Sequence, residues 1–195
     1  MNDHPGPWAQ LSAGLPDEAF DTDGLLTKRV LRAYALAVLA PRPGERLWDL
    51  GAGTGSIGIE WCRLHSDNTA IAVERDSERA ARITTNATNL QVAGQLAVRV
   101  GDVASLFAKL PAPDAVFVGG GVEDQVLQDC WAALGRNGRL VAHSVTADSD
   151  TVLLEAYRRW GGELSRIGVE VAEPIGRFTG LRPLRSVTSW AATKH

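Results

Sequence analysis

The stretch LWDLGAGTGSIGIE, Leu47 to Glu60, decides the fold. Leu47, Trp48 and Leu50 surround Asp49 as in a buried parallel strand; Gly51, Gly53 and Gly55 follow at every second position, and SIGIEWC resumes with helical character. A strand, a tight turn and a helix in that order open toward a ligand. Glycine reaches φ > 0 and lets a ligand touch the backbone, and the first turn of the helix presents N–H groups with no partner inside the helix. The spacing is GxGxG, and Ser56 stands where a dinucleotide fingerprint has its third glycine, which weakens a nicotinamide reading.

The surroundings strengthen the signal. Roughly twenty residues after Gly55, the run TAIAVERD ends a second apolar strand at Glu74, where a carboxylate can accept two ribose hydroxyls. A third strand, LAVRV, is closed by Gly101 and Asp102, and a fourth, DAVFVGGG, runs into Gly119, Gly120 and Gly121. Asp49, Glu74 and Asp102 therefore fall at the carboxyl ends of successive parallel strands, the edge at which open α/β sheets bind ligands. Each has a plainer reading. Glu74 can be a solvated strand end, Asp102 the N-cap of the short helix that follows, and the glycine cluster a loose loop.

Outward from this centre the chain alternates. We expect a helix over 27–40 with Thr27 as its N-cap, then strand 46–50, helix 56–65, strand 69–74, helix 77–90, strand 96–100, short helix 103–109, strand 114–118, helix 122–134, strand 139–145 and helix 148–160. That pattern specifies an α/β fold with a doubly wound, mostly parallel, Rossmann-like sheet. The end differs: ELSRIGVEVAEPIG and LRSVTSWAAT are strand-like runs with no helix between them, read as one C-terminal antiparallel hairpin completing seven strands. Residues 1–14, rich in Pro, Gly and polar side chains, are read as an arm or linker, and 15–195 as one domain.

The 195 residues, 45% apolar and 22% charged, suffice for one domain with a full core. A net charge of −3 gives no bulk attraction for nucleic acid or anionic lipid, so neither is expected as a partner. No apolar run reaches the roughly 20 residues of a membrane span, and the first residues lack the pattern of a signal peptide, so the chain is expected to be cytoplasmic. Cys62, Cys130 and the four histidines lack ligand spacing, and no metal is expected. Of the six tryptophans, Trp48, Trp61, Trp131 and Trp160 are read as core or interface residues.

The acid before GxGxG, the acid ending strand two and the Asp after strand three resemble the class I S-adenosylmethionine-dependent methyltransferases. That resemblance implies a glycine loop against the methionine part of the cofactor, Glu74 on the ribose and Asp102 on the adenine amino group. Gly14 to Glu60 is more specific. Its G-x-P-D-x-x-F segment (Gly14, Pro16, Asp17, Phe20), T-K-R helix start (Thr27, Lys28, Arg29) and D-L-G-A-G-T-G-S run resemble the decarboxylating precorrin methyltransferases of cobalamin biosynthesis. The glycine cluster in VFVGGGVEDQ and the segment LGRNGRLVAHSVT resemble them also.

This resemblance implies methylation of carbon 15 of a precorrin with loss of carbon dioxide from the ring C acetate. It implies S-adenosylmethionine held by Thr27, Asp49, Gly51, Ala52, Gly53, Thr54, Gly55, Glu74, Asp102 and Gly119, and a tetrapyrrole held near Gly120 and Gly121. Because the macrocycle bears many carboxylates, basic side chains should line its groove, and Lys28, Arg29, Arg177, Arg182 and Arg185 are the candidates. No catalytic side chain is assigned, since macrocycle and cofactor carry the chemistry. The resemblance also implies a homotetramer, and in some relatives fusion to an N-terminal domain that methylates carbon 5. Two competing readings are another class I methyltransferase, acting on tRNA or protein, and a non-catalytic cofactor-binding scaffold. The missing basic character disfavours tRNA, and the intact glycines disfavour the scaffold.

Overall fold

The computed structural model describes residues 13–195. The expected arm therefore lies, except for its last two residues, outside the described residues. Nine strands and six α-helices follow a short 3-10 turn at Asp17–Ala19: α1 Arg29–Leu39, β1 Arg46–Leu50, α2 Ser56–Leu64, β2 Thr69–Glu74, α3 Ser77–Asn89, β3 Leu96–Val100, α4 Val103–Leu106, β4 Ala115–Val118, α5 Asp124–Ala133, β5 Arg139–Ser144, α6 Ala147–Trp160, β6 Glu163–Ile167, β7 Glu170–Ile175, β8 Phe178–Pro183 and β9 Val187–Thr193.

Seven strands form one sheet in the order β3-β2-β1-β4-β5-β9-β6. Pairing is parallel from β3 through β5, and β9 runs antiparallel to both β5 and β6. The expected doubly wound sheet is thus present. Strand order reverses between β2-β1 and β4-β5, which opens a crevice at the carboxyl ends of β1 and β4. β4 and β5 are buried along their whole length, and two apolar layers cover the faces. One contains Leu36, Ile59, Ile83 and Phe117 beneath α1, α2 and α3; the other contains Trp48, Leu127, Leu153 and Trp190 beneath α5 and α6.

The expected antiparallel pair that completes seven strands is present, but the two runs divide differently. The run Glu163–Gly176 is two strands, and the partners that complete the main sheet are β6 and β9, with Ile167 opposite Val187. Between them β7 and β8 pair with each other as a separate ribbon, joined by a two-residue turn in which Gly176 takes φ 58°. A period-two pattern records alternation but not which strand lies alongside, so one run could not be divided in advance.

The start of α1 also differs from expectation. Lys28 occupies the N-cap position without a side-chain cap bond, and the carboxylate of Asp17, twelve residues earlier, accepts the Arg29 N–H at 3.0 Å. Thr27 lies outside the helix, and its carbonyl accepts from Arg32 Nη1 at 2.5 Å. The expected helix 103–109 is α4 followed by a 3-10 turn at Phe107–Lys109.

Candidate functional site

The three glycines after β1 serve three different needs. A Cβ on Gly51, at φ 67°, would stand 2.7 Å from the backbone of Gly120, so the loops after β1 and β4 touch main chain to main chain. On Gly55, at φ 75°, it would meet Ile83 of α3 at 2.6 Å. On Gly53, at φ 57°, the nearest atom is the Leu25 carbonyl at 3.7 Å, so this glycine faces open space in the crevice.

Carboxylates fix the loop from behind. Asp49, fully buried at the end of β1, accepts the Gly58 N–H at 2.9 Å and ties the first turns of α2 to the strand. Burial pushes its carboxyl up to about 7; the Gly58 N–H pulls it down, and the neighbouring Glu74 raises it further. Glu74, 5% exposed, accepts from Gly53 N at 2.9 Å and from Asp76 N at 3.1 Å. It is no solvated strand end. Asp102 caps α4 by accepting from Ala104 N at 2.9 Å, as its plainer reading anticipated. The loop's own amides are also engaged: Gly51 N and Ala52 N both donate to the Val73 carbonyl, at 3.0 and 3.1 Å.

A strap formed by residues 14–28 crosses the same edge. Asn86 of α3 donates to the carbonyls of Asp21 at 3.0 Å and Thr54 at 3.1 Å, and accepts from Asp21 N, which joins strap, glycine loop and helix. The strap is anchored by Arg32, which has no exposed surface. Its Nε donates to Glu60 at 2.8 Å and its Nη1 to Asp17 at 2.7 Å, its Nη2 donates to the Leu15 carbonyl, and Glu60 accepts the Gly14 N–H. Sequence reasoning missed Arg32. Its signal was a charge inside the apolar stripe Leu31, Ala35, Leu36 and Leu39, matched by Glu60 within the apolar face of α2.

The basic candidates do not gather into one cluster. Lys28 and Arg29 are exposed beside the strap, with Lys28 Nζ 3.5 Å from Asp17. Because β9 runs antiparallel to β5, the ribbon springs from the carboxyl edge of the sheet. Arg185 lies between β8 and β9 near that edge, Arg182 is ion-paired with Glu173 at 2.7 Å, and Arg177 sits in the far turn with its guanidinium 5.0 Å from the Phe178 ring centroid. Six residues of strand put that turn about 20 Å from the base. Gly119, Gly120 and Gly121 lie at the crevice edge after β4, with Gly119 N donating to the Leu50 carbonyl at 2.9 Å, and Thr27 lies in the strap with its carbonyl on Arg32. Among the described residues no group of three or more His, Cys, Asp or Glu side chains could hold a metal ion, and no helix is long and apolar enough to cross a membrane.

The family model of the precorrin methyltransferase domain matches residues 18–194. A precorrin-6Y C(5,15)-methyltransferase [decarboxylating] of Sinorhizobium sp is 50% identical over 94% of this chain but 45% of its own length, so the chain spans under half of that relative. A probable cobalt-precorrin-6B C(15)-methyltransferase (decarboxylating) of Pyrobaculum calidifontis is 32% identical over 94% of this chain and 99% of its own. The crystal structure of the C-terminal domain of precorrin-6Y C5,15-methyltransferase from Rhodobacter capsulatus superposes with a TM-score of 0.89 at 38% identity, covering 94% of this chain and 98% of that one. The chain belongs to the precorrin methyltransferase domain family.

Proposed function

We propose that the chain methylates carbon 15 of a precorrin and releases carbon dioxide from the ring C acetate, within cobalamin biosynthesis, using S-adenosylmethionine. The observation that carries this reading is the match along 99% of a relative named for the C(15) decarboxylating reaction, which needs no further domain to account for its name. The crevice fits such a cofactor: Gly53 leaves open the space a side chain would fill, Gly51 admits main-chain contact with Gly120, and Glu74 and Asp102 stand at neighbouring strand ends. When bound, the cofactor supplies an electrophilic methyl group on a sulfonium that becomes neutral as the methyl leaves.

The residues of the chain then act by position. Thr27, Ala52, Thr54 and the glycines shape the methionine end, Glu74 accepts ribose hydroxyls with the lone pairs its two backbone donors leave free, and Asp102 meets the adenine amino group. Asp49 holds loop and helix in place from behind. The strap excludes water on one side and Gly119 to Gly121 bring the macrocycle against the methyl group, a proximity effect worth several kcal/mol. Nucleophilic carbon and electron sink both belong to the macrocycle, so no Ser-His-Asp or Cys-His arrangement is required. Lys28, Arg29, Arg182 and Arg185 meet substrate carboxylates around the rim, with Arg177 farthest out.

The assembly we propose is a homotetramer, in the cytoplasm, with fusion to a carbon-5 methylating domain in a longer protein as the companion reading. Supporting assembly, Ile175, Phe178 and Leu181 on the ribbon are 60%, 66% and 66% exposed, an apolar surface of the kind oligomers cover. Light scattering at micromolar concentration checks it, and a monomer there rejects it. The reaction is tested by incubating precorrin with the protein and cofactor carrying an isotopically labelled methyl group. The expected product has gained the label and lost carbon dioxide; unchanged precorrin beside bound cofactor would overturn the reading.

A further inference from the structure

Next to the glycine cluster lies a buried polar pair that no step described so far uses. His143 stands one residue beyond the Val118–Ala142 pairing, level with Gly119 on the adjoining strand. Its ring meets Phe117 edge-on at 5.0 Å, and the same Phe117 ring would touch a Cβ on Gly119 at 2.9 Å. On the other side His143 is the register partner of Ser189 in β9. His143 is 7% exposed and Ser189 1%, and both His143 Nε2 and Ser189 Oγ are buried without a hydrogen-bond partner.

Two orphaned polar atoms side by side are unusual, since each left unpaired costs about 1–3 kcal/mol. The pair is roofed by Tyr34 of α1, whose ring stacks on His143 at 6.3 Å and whose hydroxyl is occupied 3.0 Å from Ser165. The nearby carboxyl edge is apolar. There Val145, two residues on from His143, is 49% exposed, and Val30, one turn before Tyr34, is 54% exposed. The pair therefore lies one strand over from the glycines, with two exposed apolar side chains near it.

We propose that His143 and Ser189 form a neutral notch receiving the substrate side chain that loses carbon dioxide, opened when the macrocycle seats against Gly119 to Gly121. The inference rests on the proposed precorrin reaction and deepens it. Burial holds the imidazole of His143 down at about 4, so the notch carries no cation at neutral pH. An arginine here would stabilise the carboxylate it binds and oppose its departure. A neutral imidazole and a hydroxyl orient the carboxylate while leaving its charge uncompensated, which favours release as an uncharged molecule. The bond between the acetate methylene and its carboxyl carbon breaks, its electron pair enters the conjugated macrocycle, carbon dioxide leaves, and the methylene carbon later takes a proton from water.

The test uses Ser189→Ala and His143→Gln, with methyl gain and carbon dioxide loss read separately by mass spectrometry. Because the Ser189 hydroxyl bonds nothing in the structure, a purely structural role makes Ser189→Ala neutral or slightly stabilising with no effect on products. The proposal expects an unchanged melting midpoint and cofactor affinity for Ser189→Ala, together with methylated, still carboxylated product and about a tenfold fall in decarboxylation relative to methylation. His143→Gln should shift the products in the same direction. An unaltered ratio, an equal fall in both steps, or a Ser189→Ala chain that does not fold would overturn the proposal. If the unsubstituted protein neither methylates nor decarboxylates precorrin, it is the proposed function that fails instead.

Discussion

The flank of the sheet built from β2, β1 and β4 and the flank built from β5, β9 and β6 reach the same carboxyl edge in different states. On the first, the polar groups around the glycine loop and strap are engaged: Glu74 holds two amides, Asp49 one, Asn86 three backbone groups, and Arg32 four acceptors. On the second, His143 Nε2 and Ser189 Oγ have no partner and the ribbon displays Ile175, Phe178 and Leu181. A cofactor common to many enzymes asks for a cradle already formed. The proposed macrocycle and second subunit would satisfy the surfaces of the second flank only on arrival.

The largest way to break that comparison is to remove the anchor of the first flank. Arg32→Ala leaves Glu60, in a site 1% exposed, without its cation and Asp17 with only the exposed Lys28, and we expect a stability loss of about 5 kcal/mol, the upper end for breaking a buried ion pair, checked by chemical denaturation. A loss below 1 kcal/mol would mean that the strap needs no such anchor.

Next in size is a pH effect. The folded chain keeps a proton on Asp49 that the unfolded chain releases above its ordinary value of 3.8, so this group's stability contribution is complete below that pH and lost as pH rises to about 7. The shift corresponds to on the order of 4 kcal/mol. Asp49→Asn should lack this slope when melting midpoints are compared from pH 4 to 8; parallel curves for the two proteins would place the proton elsewhere.

Gly53→Val sharpens the cradle itself. The added side chain finds the Leu25 carbonyl no nearer than 3.7 Å, so the fold should survive a left-handed valine at a cost of about 1–2 kcal/mol. Cofactor affinity should fall by at least about tenfold by calorimetry, since the branched side chain occupies the ligand's space. Normal affinity in a folded variant would move the cofactor off this loop. On the second flank the smallest change is expected: Arg182→Ala removes an exposed pair with Glu173 and should alter stability by about 0.5 kcal/mol or less while raising the KM for precorrin.

These two flanks were not equally legible. The strand, turn and helix at Leu47–Glu60 announce themselves locally, because glycines at fixed offsets and one acid per strand end are contiguous signals, and β1 to β5 follow the expected alternation with ends shifted by a residue or two. Glu74 was placed correctly at its strand end, but its bond to Gly53, 21 residues earlier, depends on how two strands lie together. The ribbon was hidden because Glu163–Gly176 alternates equally well whichever strand it pairs with. Lys28, Arg29, Arg177, Arg182 and Arg185 are expected along one groove on charge alone, and a strand of extended chain separates Arg177 from Arg185. Pairing of Arg32 with Glu60 and of His143 with Ser189 likewise lies in the tertiary fold, 28 and 46 residues apart.

Hydrogen exchange in two steps tests most directly whether the flanks divide the work. S-adenosylmethionine alone should slow exchange at the amides of 51–56, 74–76 and 101–104 and leave 170–189 unchanged; adding precorrin should then slow 120–121, 143–145 and 184–189. Protection of the β5–β9 edge and ribbon by the cofactor alone, or none at the glycine loop, would contradict the account.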